Sequence, residues 1–198
     1  MPLIVVGGQA SKIGKTSAVV AILSRFRNLP WAAVKIAPHL HQPEKCELTG
    51  SGSGWRLWKQ TAPDNDSDTA RFLSAGAKIA LLLQANDPSQ PMAAAALQRE
   101  LEGHSHVVIE SGHIVDFIRP DLFLMLVSAS REDMKPWFER RVVQADMLLV
   151  EGEIERLPIE LQQLIRDKPT FELRLPVRKH DPWMEAVAER IGAKSAMR

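Results

Sequence analysis

Short, uninterrupted apolar runs punctuate the chain, and between them the apolar positions fall three and four residues apart. Leu3-Ile4-Val5-Val6 runs into Gly7-Gly8, which predicts a buried strand ending in a tight turn. From Lys15 to Phe26 the residues Ala18, Val19, Ile22, Leu23 and Phe26 recur at helical spacing, so a helix is expected where the glycine-rich turn ends. Further buried strands are predicted at 32–36, 78–83, 106–109, 122–127 and 147–150, with an alternating candidate at 171–175. Helical patterns fill 68–75, 92–101, 133–143 and 159–165, and a last amphipathic helix is expected after Lys179 through Trp183, Val187 and Ile191. Strands alternating with helices predict an α/β fold, a mainly parallel sheet with helices on both faces. Sheets of this kind bind ligands at the carboxyl ends of their strands, where the first glycine turn lies.

One stretch breaks the alternation. Residues 38–67 lack periodicity and carry Thr49-Gly50-Ser51-Gly52-Ser53-Gly54 ahead of Trp55 and Trp58. They read as a mobile lid or insertion loop with room for a hairpin inside it. The 198 residues contain no visible repeat, so a single domain over 1–198 is expected. An apolar fraction of 45% with 25% charged residues is that of a globular protein. A formal charge of +1, with acids and bases interspersed, offers no field to attract nucleic acid or an anionic membrane. No apolar run approaches the ~20 residues of a membrane-spanning helix. With Cys46 the lone cysteine and no secretory pattern ahead of the first strand, a cytoplasmic location is expected.

The candidate chemistry begins at Gly8-Gln9-Ala10-Ser11-Lys12-Ile13-Gly14-Lys15-Thr16, between a predicted strand and a predicted helix. That is the setting of a phosphate-binding loop. Glycines let backbone N–H groups turn inward around phosphates, and the helix N-terminus adds its positive end. Lys15 supplies a point charge for the β and γ phosphates, and Thr16 offers a hydroxyl to magnesium. Gly8, Ser11, Lys12, Ile13, Gly14, Lys15, Thr16 and Ser17 are the expected nucleotide-binding residues. Gly8 stands six residues before Gly14, one more than in the common P-loop spacing.

The Gly-x5-Gly-Lys-Thr spacing after an N-terminal strand resembles the P-loop NTPases grouped with dethiobiotin synthetase and the cobyrinic acid amide synthetases (the SIMIBI group). Asp68-Thr69-Ala70-Arg71-Phe72-Leu73-Ser74-Ala75-Gly76-Ala77 is similar to the Asp-[Ser/Thr]-x-Arg-x3-Ala-Gly-Ala segment of the molybdopterin-guanine dinucleotide biosynthesis protein B family. With Val34-Lys35, His39 and His41, the resemblance covers roughly residues 3–112. It implies a P-loop NTPase fold, a magnesium-dependent GTPase acting as an accessory factor in molybdopterin-type cofactor biosynthesis or insertion, a partner protein from that process, and a two-fold homodimer. It also implies that Asp68 lies near the metal and the γ-phosphate.

Glu110 stands at the carboxyl end of its predicted strand, where a carboxylate can bind magnesium directly or through water. The related families place Glu-Gly there, whereas Ser111 intervenes here before Gly112. Lys35 ends the second strand, where it reads either as a contact to a γ-phosphate or an acidic second substrate or as a surface lysine. Lys15, Lys35, Asp68 and Glu110 are therefore the catalytic candidates, and Thr16, Asp68 and Glu110 the metal ligands. Asp66 and Asp68 equally suit a helix N-terminus as caps, and Arg71 lies three residues along to pair with the acid or reach phosphate. His39, His41 and Cys46 read either as solvated loop residues or as a weak zinc set, and His113 as a contact to water or phosphate. Asn-Lys-x-Asp is absent, and Glu151-Gly152-Glu153 follows the strand at 147–150. Those carboxylates either accept from guanine or are turn acids, so GTP is favoured over ATP by the resemblance alone. Two alternatives stay beside the GTPase: an ATP-dependent kinase or ligase of the dethiobiotin synthetase type acting on a small acceptor, and a non-hydrolysing nucleotide-binding adaptor.

Overall fold

The computed structural model describes residues 2–63, 66–131, 136–178 and 181–196. Its strands are β1 (Leu3–Gly8), β2 (Trp31–Ala37), β3 (Glu47–Gly52), β4 (Trp55–Gln60), β5 (Ile79–Ala85), β6 (His106–Glu110), β7 (Leu122–Ser128), β8 (Met147–Glu151) and β9 (Thr170–Glu172). They form one sheet in the order β3-β4-β5-β2-β6-β1-β7-β8-β9. From β5 to β9 every neighbouring pair is parallel, so the carboxyl ends of those strands share one edge. The helices are α1 (Lys15–Arg25), α2 (Asp68–Ala75), α3 (Gln90–Glu100), α4 (Phe138–Val142), α5 (Ile159–Ile165) and α6 (Pro182–Ala196).

The two-residue period of a strand sorts the core. Ile4 and Val6 pack with Val19, Ile22 and Leu23 of α1, Phe72 of α2, and Trp183 and Val187 of α6. Leu3 and Val5 join Ala93 and Leu97 of α3, Phe138 of α4 and Leu161 of α5 on the other face. Burial from both sides explains why these strands are apolar without alternation. At ~25 cal/mol per Å2 of apolar surface removed from water, the two layers are the dominant stabilising contribution.

Helix boundaries follow their caps. Ser67 caps α2 by accepting from the Ala70 amide (3.1 Å), and Gly76, at φ +123°, ends it in a conformation that glycine adopts without strain. The expected helix at 133–143 is shorter among the described residues, beginning at Phe138; 133–135 lie outside them. The strand expected at 171–175 occupies 170–172, although the Leu173 amide still donates to Val150 O (2.6 Å).

Within 38–67 the chain builds a hairpin that belongs to the sheet. β4 pairs antiparallel with β5, and β3 with β4. The turn needs Gly54 at φ +78°, where a Cβ would lie 2.6 Å from the Asn86 side-chain amide. Trp55, Leu57 and Trp58 are buried while most of β3 is exposed, so β4 joins the core and β3 is the outer edge. No helix among the described residues is long and apolar enough to cross a membrane.

Candidate functional site

The segment between β1 and α1 is a tight cradle. Gly14 precedes α1 at φ +92° and Lys12 stands at φ +56°, so two residues turn the chain through the left-handed region. A Cβ on Gly8 would come within 2.7 Å of Ile13 Cγ2. Ile13 is buried and holds the loop from below. Helix geometry leaves the amides of the first turn of α1 without intrahelical acceptors, and they open toward the space enclosed by the loop. Lys15 curls back so that Nζ donates to Ala10 O (2.7 Å).

A neighbouring strand end fastens the same loop. Buried Gln9 donates from its amide to Leu126 O (2.9 Å) and from Nε2 to Arg131 O (3.0 Å), while its Oε1 accepts from the Ser128 amide (3.0 Å). Arg131 Nη1 in turn donates to Ser11 O (3.0 Å). Neither residue was singled out by sequence, because the loop residues Gln9 and Ser11 and their partners at and just past the end of β7 stand more than a hundred residues apart.

Four predicted side chains meet beside the cradle. In-register pairing of β2 with β6 sets Lys35 opposite Glu110, and α2 delivers Asp68 from above. The Thr16 hydroxyl donates to Glu110 Oε2 (2.8 Å), and Lys35 Nζ lies 2.5 Å from Glu110 Oε1 and 2.7 Å from Asp68 Oδ2. Arg71 Nη1 sits 3.4 Å from Asp68 Oδ1. Glu110 is only 3% exposed. Burial alone disfavours the Lys35 ammonium, but the carboxylates of Glu110 and Asp68 outweigh it and hold its pKa above the ordinary lysine value. One hydroxyl and two carboxylates form a set of hard oxygen donors around a cation, which suits magnesium.

These residues line a cleft of about 810 Å3 at the carboxyl edge of the sheet, shared with Ser11, Lys12, Gly14, Lys15 and Ser17. Its lining also includes the apolar residues Leu83, Ala85, Ala93, Ile114, Phe117 and Trp137. A Cβ on Gly112 would meet the Trp137 ring at 2.1 Å, so any larger residue must displace the ring or the turn. His113 packs edge-on to the same ring, 4.6 Å between centroids. Phe117 and Trp137 were not picked out in the sequence, where no periodic signal marks an aromatic that turns into a cleft.

Other candidates lie apart. Asp66 is exposed and does not line the cleft. His39 is exposed, His41 Nδ1 lies 2.7 Å from Gln84 Nε2, and Cys46 Sγ faces Gln60 Oε1 at 3.9 Å. No group of three His, Cys, Asp or Glu side chains among the described residues is placed to hold a metal ion. Glu151 and Glu153 are outside the cleft lining, and Glu153 pairs with Arg156 at 2.7 Å.

No protein-family model matches the sequence, and no curated protein matches it significantly. Among solved structures, HypB from Helicobacter pylori in complex with nickel aligns with 98% of this chain and 88% of its own, at 13% identity and a TM-score of 0.56. LpxK from Aquifex aeolicus in complex with ATP aligns with 87% of this chain at 15% identity and a TM-score of 0.52. This chain spans about half of LpxK, 53% of its length. The likeness is one of fold: a mixed α/β architecture with a mostly parallel sheet.

Proposed function

We propose that this chain binds a nucleoside triphosphate with magnesium and hydrolyses it slowly, as a GTPase that serves biosynthesis or insertion of a molybdopterin-type cofactor. The observation that carries the reading is the line Thr16, Glu110, Lys35, Asp68, closed by contacts of 2.5 to 2.8 Å beside a left-handed Gly14 turn at a helix N-terminus. Loop amides and Lys15 would cradle the phosphates. Thr16, Asp68 and Glu110 would hold Mg2+, whose chemistry is to neutralise charge on the β and γ oxygens.

Hydrolysis in this reading is in-line attack of water on the γ-phosphorus as the β–γ bridging oxygen departs with the diphosphate. Lys15 and Lys35 offset the charge that spreads over the terminal oxygens. Turnover is expected to be slow. Arg71, which lines the cleft, is half exposed and engaged with Asp68, so its guanidinium is not fixed on the transferred group. The choice of GTP, the cofactor-biosynthesis partner and a two-fold dimer rest on the resemblance of 68–77 and of the loop spacing.

Calorimetry with GTP and ATP in the presence of magnesium tests this. The Lys15→Ala variant should lose nucleotide binding; micromolar affinity retained by that variant would contradict the reading.

The cleft also supports a second reading, an ATP-dependent kinase or ligase. Beyond Lys35 it continues along Leu83, Ala85, Ala93 and Phe117, which leaves space for a small acceptor with an apolar body next to the γ-phosphate. Product analysis separates the two: phosphate released without an acceptor favours the triphosphatase, and strict acceptor dependence favours the transferase.

A further inference from the structure

We infer that Lys35 is the resident counter-ion of the metal site, holding Glu110 and Asp68 in place of a divalent cation so that the ion enters only together with the nucleotide. The inference rests on the nucleotide-binding reading above and adds an order of events to it.

Each carboxylate oxygen of the pair has a partner. Lys35 Nζ is 2.5 Å from Glu110 Oε1 and 2.7 Å from Asp68 Oδ2. The second oxygen of Glu110 accepts from Thr16, and the second of Asp68 lies 3.4 Å from Arg71. Every ligand the metal would use is therefore engaged, and an ammonium occupies the point where the two carboxylates converge. Two carboxylates against one ammonium and one guanidinium leave no net charge to attract a bare ion. Glu110, at 3% exposure, is also a carboxylate that burial would penalise without this partner.

A terminal phosphate seated by the loop changes the competition. Lys35 and the first turn of α1 line the same cleft, and a lysine is a compact charge on a flexible four-carbon stem. The phosphate offers that ammonium a new anion, and its departure from between Glu110 and Asp68 releases their oxygens to the cation. Metal and nucleotide then bind cooperatively, and by linkage each raises the affinity of the other by the same factor. Lys35 is thus a positioning residue that makes metal capture conditional on the nucleotide. Removing its charge should leave the two carboxylates open to a bare ion.

The experiment is Mn2+ binding followed by electron paramagnetic resonance at pH 8, without nucleotide and then with GTP, on the full chain and on Lys35→Met and Lys35→Arg. Wild type should bind Mn2+ weakly alone and about tenfold or more tightly with GTP, within the usual range of coupling between sites. Lys35→Met should bind Mn2+ about tenfold more tightly than wild type without nucleotide, and Lys35→Arg should behave as wild type. Equal or weaker Mn2+ affinity in a Lys35→Met protein that melts cooperatively would overturn the inference. Should that variant not fold, wild-type Mn2+ affinity that is indifferent to GTP, in a protein that binds GTP, overturns it as well. Failure of wild type to bind any nucleotide would instead refute the proposed function, and the nucleotide-free comparison would still report on Lys35.

Discussion

At the residue scale, the central feature is a lysine held between two acids. Lys35 lies near the carboxyl end of β2 and Glu110 ends β6, and parallel pairing alone brings them side by side. The sequence shows each as a charged residue closing an apolar run, and so flags both. It cannot show that they touch, because strand order decides which ends are neighbours. Thr16, Lys15 and Asp68 were legible in the same way, from a motif and a resemblance. Gln9 and Arg131 were not, since Gln9 bonds to Leu126 and Ser128 across the sheet edge and Arg131 reaches back to Gln9 and Ser11 of the loop. The raised Lys35 pKa carries a stability consequence with a definite sign. A lysine whose folded pKa exceeds its unfolded value stabilises the fold fully below the ordinary value of 10.5 and loses that contribution as pH climbs through the raised one. Urea melts from pH 8 to 12 should show an alkaline loss of stability that is smaller in Lys35→Met; identical profiles for both proteins would contradict the pairing.

At the element scale, two segments make the cleft what it is. The turn after β6 runs Ser111-Gly112-His113, and the Trp137 ring occupies the space that a Cβ on Gly112 would take. Gly112→Ala must push that ring or the turn aside, and overpacking of this kind costs about 1–3 kcal/mol. Urea denaturation should register the loss; an unchanged midpoint would mean the ring is free to move. The β3–β4 hairpin is the other case. Glycines and serines over 50–54 conceal its strands, and only Trp55, Leu57 and Trp58 mark a side turned inward, so the pattern reads as a loop. Its docking through β4 onto β5 predicts uneven protection. Amide exchange followed by mass spectrometry should find β4 slow and β3 faster by about tenfold or more. Fast exchange throughout 47–60 would restore a free lid.

At the scale of the whole molecule, parallel pairing from β5 to β9 gathers the ends of β1, β2 and β6 on one edge, and the two apolar layers keep that edge rigid. This much was readable from apolar runs with helical patterns between them, because a strand buried on both faces has no polar positions to confuse it. The docking of the hairpin through β4 onto β5 and the contacts of the loop with the end of β7 were not, being products of tertiary pairing. The likeness to HypB and LpxK is one of architecture, and the chemistry proposed for this chain stands on its own residues. The most direct measurement is isothermal titration of GTP and ATP, with magnesium, into wild type and Lys15→Ala. Losing the charge-assisted contacts of that ammonium to two phosphates, at ~1.5–3 kcal/mol each, should weaken binding by about a hundredfold or more. Micromolar or tighter binding of at least one triphosphate, lost in Lys15→Ala, is the result expected; wild type that binds neither nucleotide, or a variant that binds as wild type does, would contradict the account.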